Sequence, residues 1–204
     1  MRGLPKIIMK KVIGITGGIA SGKSNIVNVI ENEGYKVLSC DKIYQELSEI
    51  GMPIYNNILN TFGDSFILPN RKLDKKKLGK LIFNNEDKKI LLNSITHPVI
   101  KDVLINEINK SSEEYIFIEI PLLYEAKFDD LCDFIIVAYL PKDEQIKRLM
   151  ERDMIDYNYA LAKISSQDSL DDKKAKANFV INTIGTFDET KKEVLQVLNK
   201  IRGE

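Results

Sequence analysis

An α/β fold is predicted for this chain, a three-layer α/β/α sandwich on a mainly parallel five-stranded sheet, and three observations predict it. Five apolar, β-prone runs recur along the 204 residues: Val12 to Thr16, Tyr35 to Ser39, Tyr115 to Ile120, Phe134 to Leu140 and Phe179 to Asn182. Helical patterns separate most of them, so strand and helix alternate as in βαβ units. The runs are nearly continuous in apolar residues, as strands covered on both faces must be, and ligands of such sheets lie at the carboxyl ends of the strands.

The first strand leads into Gly17-Gly18-Ile19-Ala20-Ser21-Gly22-Lys23-Ser24, which fits the phosphate-binding pattern G-x-x-x-x-G-K-[ST], and Asn25 to Ile30 continues as an apolar-faced helix. Strand, loop and helix come in the order of a P-loop NTPase fold. Gly17 and Gly22 free the backbone to turn successive N–H groups toward phosphate oxygens at the positive end of the helix. Lys23 adds a full charge, and the Ser24 hydroxyl is a ligand for Mg²⁺. The nucleotide-phosphate cradle is therefore expected over Gly17 to Asn25. Met9 stands just before this strand, so residues 1–8 are expected to be an extension outside the fold.

Asp41 follows the second strand directly, at the carboxyl edge of the sheet. Its carboxylate either caps the helical pattern of Lys42 to Glu49 or orients and deprotonates an acceptor hydroxyl, and the two roles are compatible. About 75 residues separate the second and third strands, far more than a crossover helix needs. A helical insert is expected there, about 41–114, as an acceptor-binding cap. It contains a helix over Asp74 to Phe83 and a longer one beginning near Pro98, with Thr96 or His97 as its cap. Glu119, near the end of the third strand, either holds the water shell of Mg²⁺ or is simply solvated.

After the fourth strand, Asp143 to Asp153 and Tyr157 to Gln167 read as two helices, and the charged stretch Asp168 to Lys176 joins them to the last strand. The region 143–176 is expected to be a mobile lid that excludes water from the transfer. Arg148 and Arg152 share a helix face and either clamp phosphate oxygens or form a surface ladder with Glu144. Lys173, Lys174 and Lys176 form a run of the kind that is usually a solvated face. The core is then 9–40, 115–142 and 177–204 in a single P-loop kinase chain.

Lys plus Arg equal Asp plus Glu at 30 each, so no global charge argues for nucleic acid or an anionic membrane as partner. Cys40 and Cys132 fit neither a disulfide framework nor a metal-ligand spacing, and a lone His97 cannot build a histidine metal site. No apolar run approaches a membrane span and the first ten residues lack a secretory pattern, so a cytosolic protein is expected, as a monomer or weak homo-oligomer.

With these residues laid out, the chain resembles the dephospho-CoA kinases over almost its whole length. The resemblance rests on Ile15 to Ser24, on Thr96-His97-Pro98, on Pro121-Leu122-Leu123-Tyr124-Glu125, and on Gln145 to Asp153, which is similar to the family's Gln-x-x-Arg-Leu-x-x-Arg-Asp helix. Ile164 to Gln167 and Ala177 to Gly185 are similar to later family elements. The resemblance implies transfer of the ATP γ-phosphoryl to the ribose 3′-hydroxyl of dephospho-CoA, giving coenzyme A. It implies acceptor binding at Asp41, His97, Pro121, Leu122, Leu123 and Glu125, with Lys23, Arg148, Arg152 and Asp41 catalytic. Asp41 falls on the second acid of the family's Asp-Ala-Asp motif. The first acid is Ser39 here, its Ala is Cys40, and an Arg just beyond is Gln45. Asn25, Asn178 and Thr183 replace a common Thr, Asp and Asn. The alternatives are a kinase for another nucleotide or nucleoside, and a nucleotide-dependent binding module. No Asn-Lys-x-Asp run of a guanine-reading switch is present.

Overall fold

The computed structural model describes residues 10–203; the expected extension at 1–8, Met9 and Glu204 lie outside the described residues. Five strands form one sheet: β1 (Lys11–Gly17), β2 (Val37–Ser39), β3 (Tyr115–Glu119), β4 (Phe134–Tyr139) and β5 (Phe179–Asn182), in spatial order β2-β3-β1-β4-β5. β1 runs parallel to both β3 and β4, and β4 parallel to β5. The five expected strands are all there, but β2 starts two residues after Tyr35. Gly34 turns the chain at φ 90° and the Tyr35 N–H donates back to the Ile30 carbonyl at 3.3 Å, so Tyr35 closes the preceding helix instead of opening the strand.

The helices are α1 (Lys23–Asn32), α2 (Cys40–Leu47), α3 (Pro53–Phe62), α4 (Lys75–Phe83), α5 (Glu86–Lys110), α6 (Lys142–Asp153), α7 (Tyr157–Ser165), α8 (Leu170–Lys176) and α9 (Phe187–Arg202). By contacts the chain divides into two compact units, Ser39–Lys110 and the residues on either side of it. In the sheet-bearing unit, Ile13 and Ile15 of β1 meet Ile26, Val29 and Ile30 of α1 and Val194, Leu198 and Ile201 of α9. Each buried isoleucine contributes about 1.5–3 kcal/mol. The alternate residue, Gly14, faces the opposite way, where Leu123 and Cys132 come so near that a Cβ would lie 2.8 Å from each. That close approach seats the loop following β3 directly on β1.

The second unit is helical: α2, α3 and α4 pack on α5. Here the sequence expectation needs correcting, because α5 does not begin near Pro98 but runs through it from Glu86. An internal proline costs about 3 kcal/mol. Leu92, Thr96, Ile100 and Leu104 outweigh that cost, forming a buried stripe four residues apart on both sides of Pro98. Thr96 accordingly caps nothing; its hydroxyl donates to the Leu92 carbonyl at 2.9 Å. Two further helices were not expected: α8 lies within the charged stretch, and α9 closes the chain behind a complete Thr186/Glu189 capping box. Among the described residues no helix is long and apolar enough to cross a membrane.

Candidate active site

The phosphate loop sits where β1 ends and α1 begins. Gly17 still pairs with Ala138 of β4, and Gly22 takes the N-cap position of α1 at φ 82°, in the left-handed region that favours glycine. A Cβ at Gly22 would press on Thr183 at 3.1 Å. α1 carries no side-chain cap and no acid in its first turn, so no side-chain charge offsets the positive end of its dipole, which favours an anion. The Lys23 ammonium folds back to the Gly18 carbonyl at 3.4 Å, within reach of the same space.

That space is a cleft of about 390 Å³. Gly18, Ala20, Ser21, Gly22, Lys23 and Ser24 form one wall, and Glu119, Arg148 and Arg152 line the rest. The structure thus brings the expected donor-side residues together. Ile19 turns its side chain into the apolar cluster of α6 and α7, and Asn25 is exposed in the first turn of α1. Glu119 pairs in register with Ile15, which carries its carboxylate to the end of the sheet nearest the loop.

The two arginines behave differently. Of the two alternatives for Arg148, the ladder with Glu144 does not form; its Nη2 donates to the Thr183 carbonyl at 2.6 Å and to the Ile184 carbonyl at 3.3 Å, tying α6 to the turn after β5. Arg152 is exposed and pairs with Asp153 at 2.8 Å. Together with Lys163, also at 2.8 Å, it holds the Asp153 carboxyl down at about 2.

The Pro121–Glu125 motif forms turns beneath the sheet edge. The Pro121 carbonyl accepts from the Thr16 hydroxyl at 3.2 Å, Leu122 is half-buried and Leu123 is fully buried against Gly14. Glu125 forms an ion pair at 2.7 Å with Lys173, which is 0% exposed, and also accepts from the Asp168 N–H at 3.1 Å. Lys173 is therefore no part of a solvated face. Its neighbours fit the solvated reading only in part, since the Lys174 and Lys176 ammonium groups lie over the rings of Tyr139 and Tyr124.

In the helical unit, Asp41 is exposed at the second position of α2, and Ser39 occupies the N-cap position without a side-chain capping bond. Asp41 is thus not the cap, though its charge still favours the positive helix end. His97 is half-buried inside α5, and burial pushes its pKa down, so the imidazole is neutral at pH 7.

Three site residues had no assigned role from sequence. The buried Thr183 hydroxyl donates to the Ser21 carbonyl at 2.7 Å, bracing the phosphate loop from β5's exit. Gln145 and Gln167 hold Ile19 from either side, at 2.6 and 3.0 Å. Both glutamines stood in recognisable motifs, but nothing local says that a side chain over a hundred residues away will meet the loop.

A parallel sheet whose leading strand opens into an uncapped helix end, with lysine and two arginines on one cleft, defines the class of P-loop phosphoryl-transfer enzymes. A family model described as dephospho-CoA kinase matches residues 11–189, and the chain belongs to that family. A dephospho-CoA kinase from Carboxydothermus hydrogenoformans is 39% identical over 197 residues, covering 95% of this chain and 96% of the relative. The solved structure of a dephospho-CoA kinase from Campylobacter jejuni is 31% identical with a TM-score of 0.68, covering 95% of this chain and 98% of that one. A crystal structure from Thermus thermophilus superposes with a TM-score of 0.83 at 25% identity, over 95% of this chain and 98% of its own.

Proposed function

We infer that this protein transfers the γ-phosphoryl group of ATP to the ribose 3′-hydroxyl of dephospho-CoA, yielding coenzyme A and ADP. The observation that carries this reading is the single cleft shared by the phosphate loop, Lys23, Glu119, Arg148 and Arg152 in a chain of this family. The loop amides and Lys23 bind and polarise the donor phosphates, and the arginines spread the charge that develops on the transferring group. Asp41 orients the acceptor hydroxyl or takes its proton, so that attack is direct and in line. The hard oxygen donors Ser24 and Glu119 on the cleft suit Mg²⁺, which would neutralise phosphate charge there. By the family motifs, His97 and the stretch Pro121 to Glu125 bind the acceptor, and the lid spans about 143–176. The protein works in the cytosol as a monomer or weak homo-oligomer.

Phosphoryl transfer to dephospho-CoA, AMP, CMP, UMP and dTMP tests the reading directly. Dephospho-CoA should be the best acceptor, and parity with the mononucleotides sinks the assignment. Asp41→Asn should lower turnover by about 10²- to 10⁴-fold with ATP affinity near normal. Unchanged turnover would remove Asp41 from the chemistry.

A further inference from the structure

The tip of the phosphate loop is held in a shape it does not prefer. Ala20 has φ 59°, a left-handed conformation that residues with a Cβ adopt uncommonly. Within the loop, the Ser21 N–H donates to the Gly18 carbonyl at 3.2 Å and Lys23 to the same carbonyl at 3.4 Å. Neither bond satisfies the Ile19 N–H or the Ile19 carbonyl, the two groups next to the strained residue.

Two side chains from beyond β4 do. The Gln145 Nε2 donates to the Ile19 carbonyl at 2.6 Å, and the Gln167 Oε1 accepts from the Ile19 N–H at 3.0 Å. A carboxamide copies the donor and acceptor of a peptide group, so the pair satisfies Ile19 as a neighbouring strand would. Gln145 is 3% exposed and is fixed in the first turn of α6, where its N–H donates to the Pro141 carbonyl at 2.9 Å. On the apolar side, Ile19 and Ala20 pack against Ile146, Leu149 and Ala160. Gly18 is a position that the loop pattern leaves free, yet a Cβ there would collide with the Gln145 amide and crowd Leu170 at 3.2 Å. Glycine at 18 is what lets the amide reach its target.

We propose that Gln145 and Gln167 are positioning residues for phosphate binding, clamping the Ile19 peptide groups so that the loop stands in its binding shape before nucleotide arrives. Preorganisation of this kind raises affinity by removing the cost of ordering the loop at the moment of binding. The inference rests on the reading of the loop as the ATP site and is independent of the acceptor. Because Gln167 follows α7, the clamp also makes the loop's shape depend on where that helix is docked.

The test is calorimetric titration of the full chain with ADP and, separately, with dephospho-CoA, for wild type, Gln145→Met and Gln167→Leu, each with a thermal melt. Each variant should bind ADP about tenfold more weakly, with dephospho-CoA affinity within about twofold of wild type. A folded variant that binds ADP within about twofold of wild type overturns the clamp. So does an equal loss for both ligands, which would mark general loosening. If Gln145→Met does not fold, the half-buried Gln167 decides the matter by the same criteria. A wild type that binds ADP but not dephospho-CoA refutes the acceptor reading alone; the clamp is then judged on the ADP loss in variants whose melting matches wild type.

Discussion

The helices α1 and α9 cover the same face of the sheet, and their amino ends are built in opposite ways. At α9, the Thr186 hydroxyl accepts from the Glu189 N–H at 3.3 Å, the Glu189 carboxylate accepts from the Thr186 N–H at 2.7 Å, and Asp188 adds an acid to the first turn. At α1, the N-cap is Gly22, no side chain bonds the leading N–H groups, and the first turn carries a lysine instead of an acid. A capped end contributes stability, whereas an uncapped end facing a cleft keeps its hydrogen-bonding capacity for a ligand. The contrast is between an end closed by its own side chains and one that, without a side-chain cap or an acid, opens onto a cleft lined by Lys23, Arg148 and Arg152.

Lys23→Ala breaks the contrast most severely. Transfer should fall about a thousandfold, from loss of a charge aimed at the transferring group, while the melting temperature changes little. Turnover assays beside a thermal melt check it, and normal turnover would take the loop out of the mechanism. Asn25→Asp narrows the contrast by giving α1 the acid it lacks. The free protein should gain about 0.3–1 kcal/mol while ADP binds about tenfold more weakly, opposite signs that titration and denaturant unfolding measure together. Thr186→Ala should cost about 1 kcal/mol of stability with ADP affinity within about twofold of wild type. A large loss of ADP affinity there would mean that the α9 end also serves the nucleotide.

The smallest effect concerns pH. Hydrogen bonds from the Thr186 N–H and hydroxyl hold the Glu189 carboxyl below its ordinary 4.5. A depressed carboxylate stabilises the fold fully above the unfolded value and loses that contribution as pH falls through the folded one. Stability measured from pH 6 down toward about 3 should therefore fall less steeply in Glu189→Gln than in wild type.

Much of the donor half was legible because its determinants are local. Eight consecutive residues specify the loop, and β1 and α1 flank it directly. The strands were legible for a similar reason, since β-branched and aromatic apolar runs of four to seven residues are too short for helices and suit buried strands. Pro98 misled because its local meaning, a helix start, was overridden by a stripe of buried residues packed against α3 and α4. α9 went unread although Thr186 and Glu189 stand in capping-box spacing, a signal that was available. Lys173 could not be read at all. In sequence it is one lysine among several, and only the fold puts Glu125 48 positions away against it at 2.7 Å.

By itself the sequence determined the strand and helix alternation, the phosphate loop and, through its motifs, the family. Each of these is written in neighbouring residues, whose spacing is read within one element. The tertiary structure alone decided which distant side chains complete the site: Arg148 on the turn after β5, Thr183 on Ser21, Lys173 on Glu125, and the two glutamines on Ile19. Such contacts depend on the order of strands in the sheet and the packing of α6 to α8 on the loop, and no local pattern encodes them.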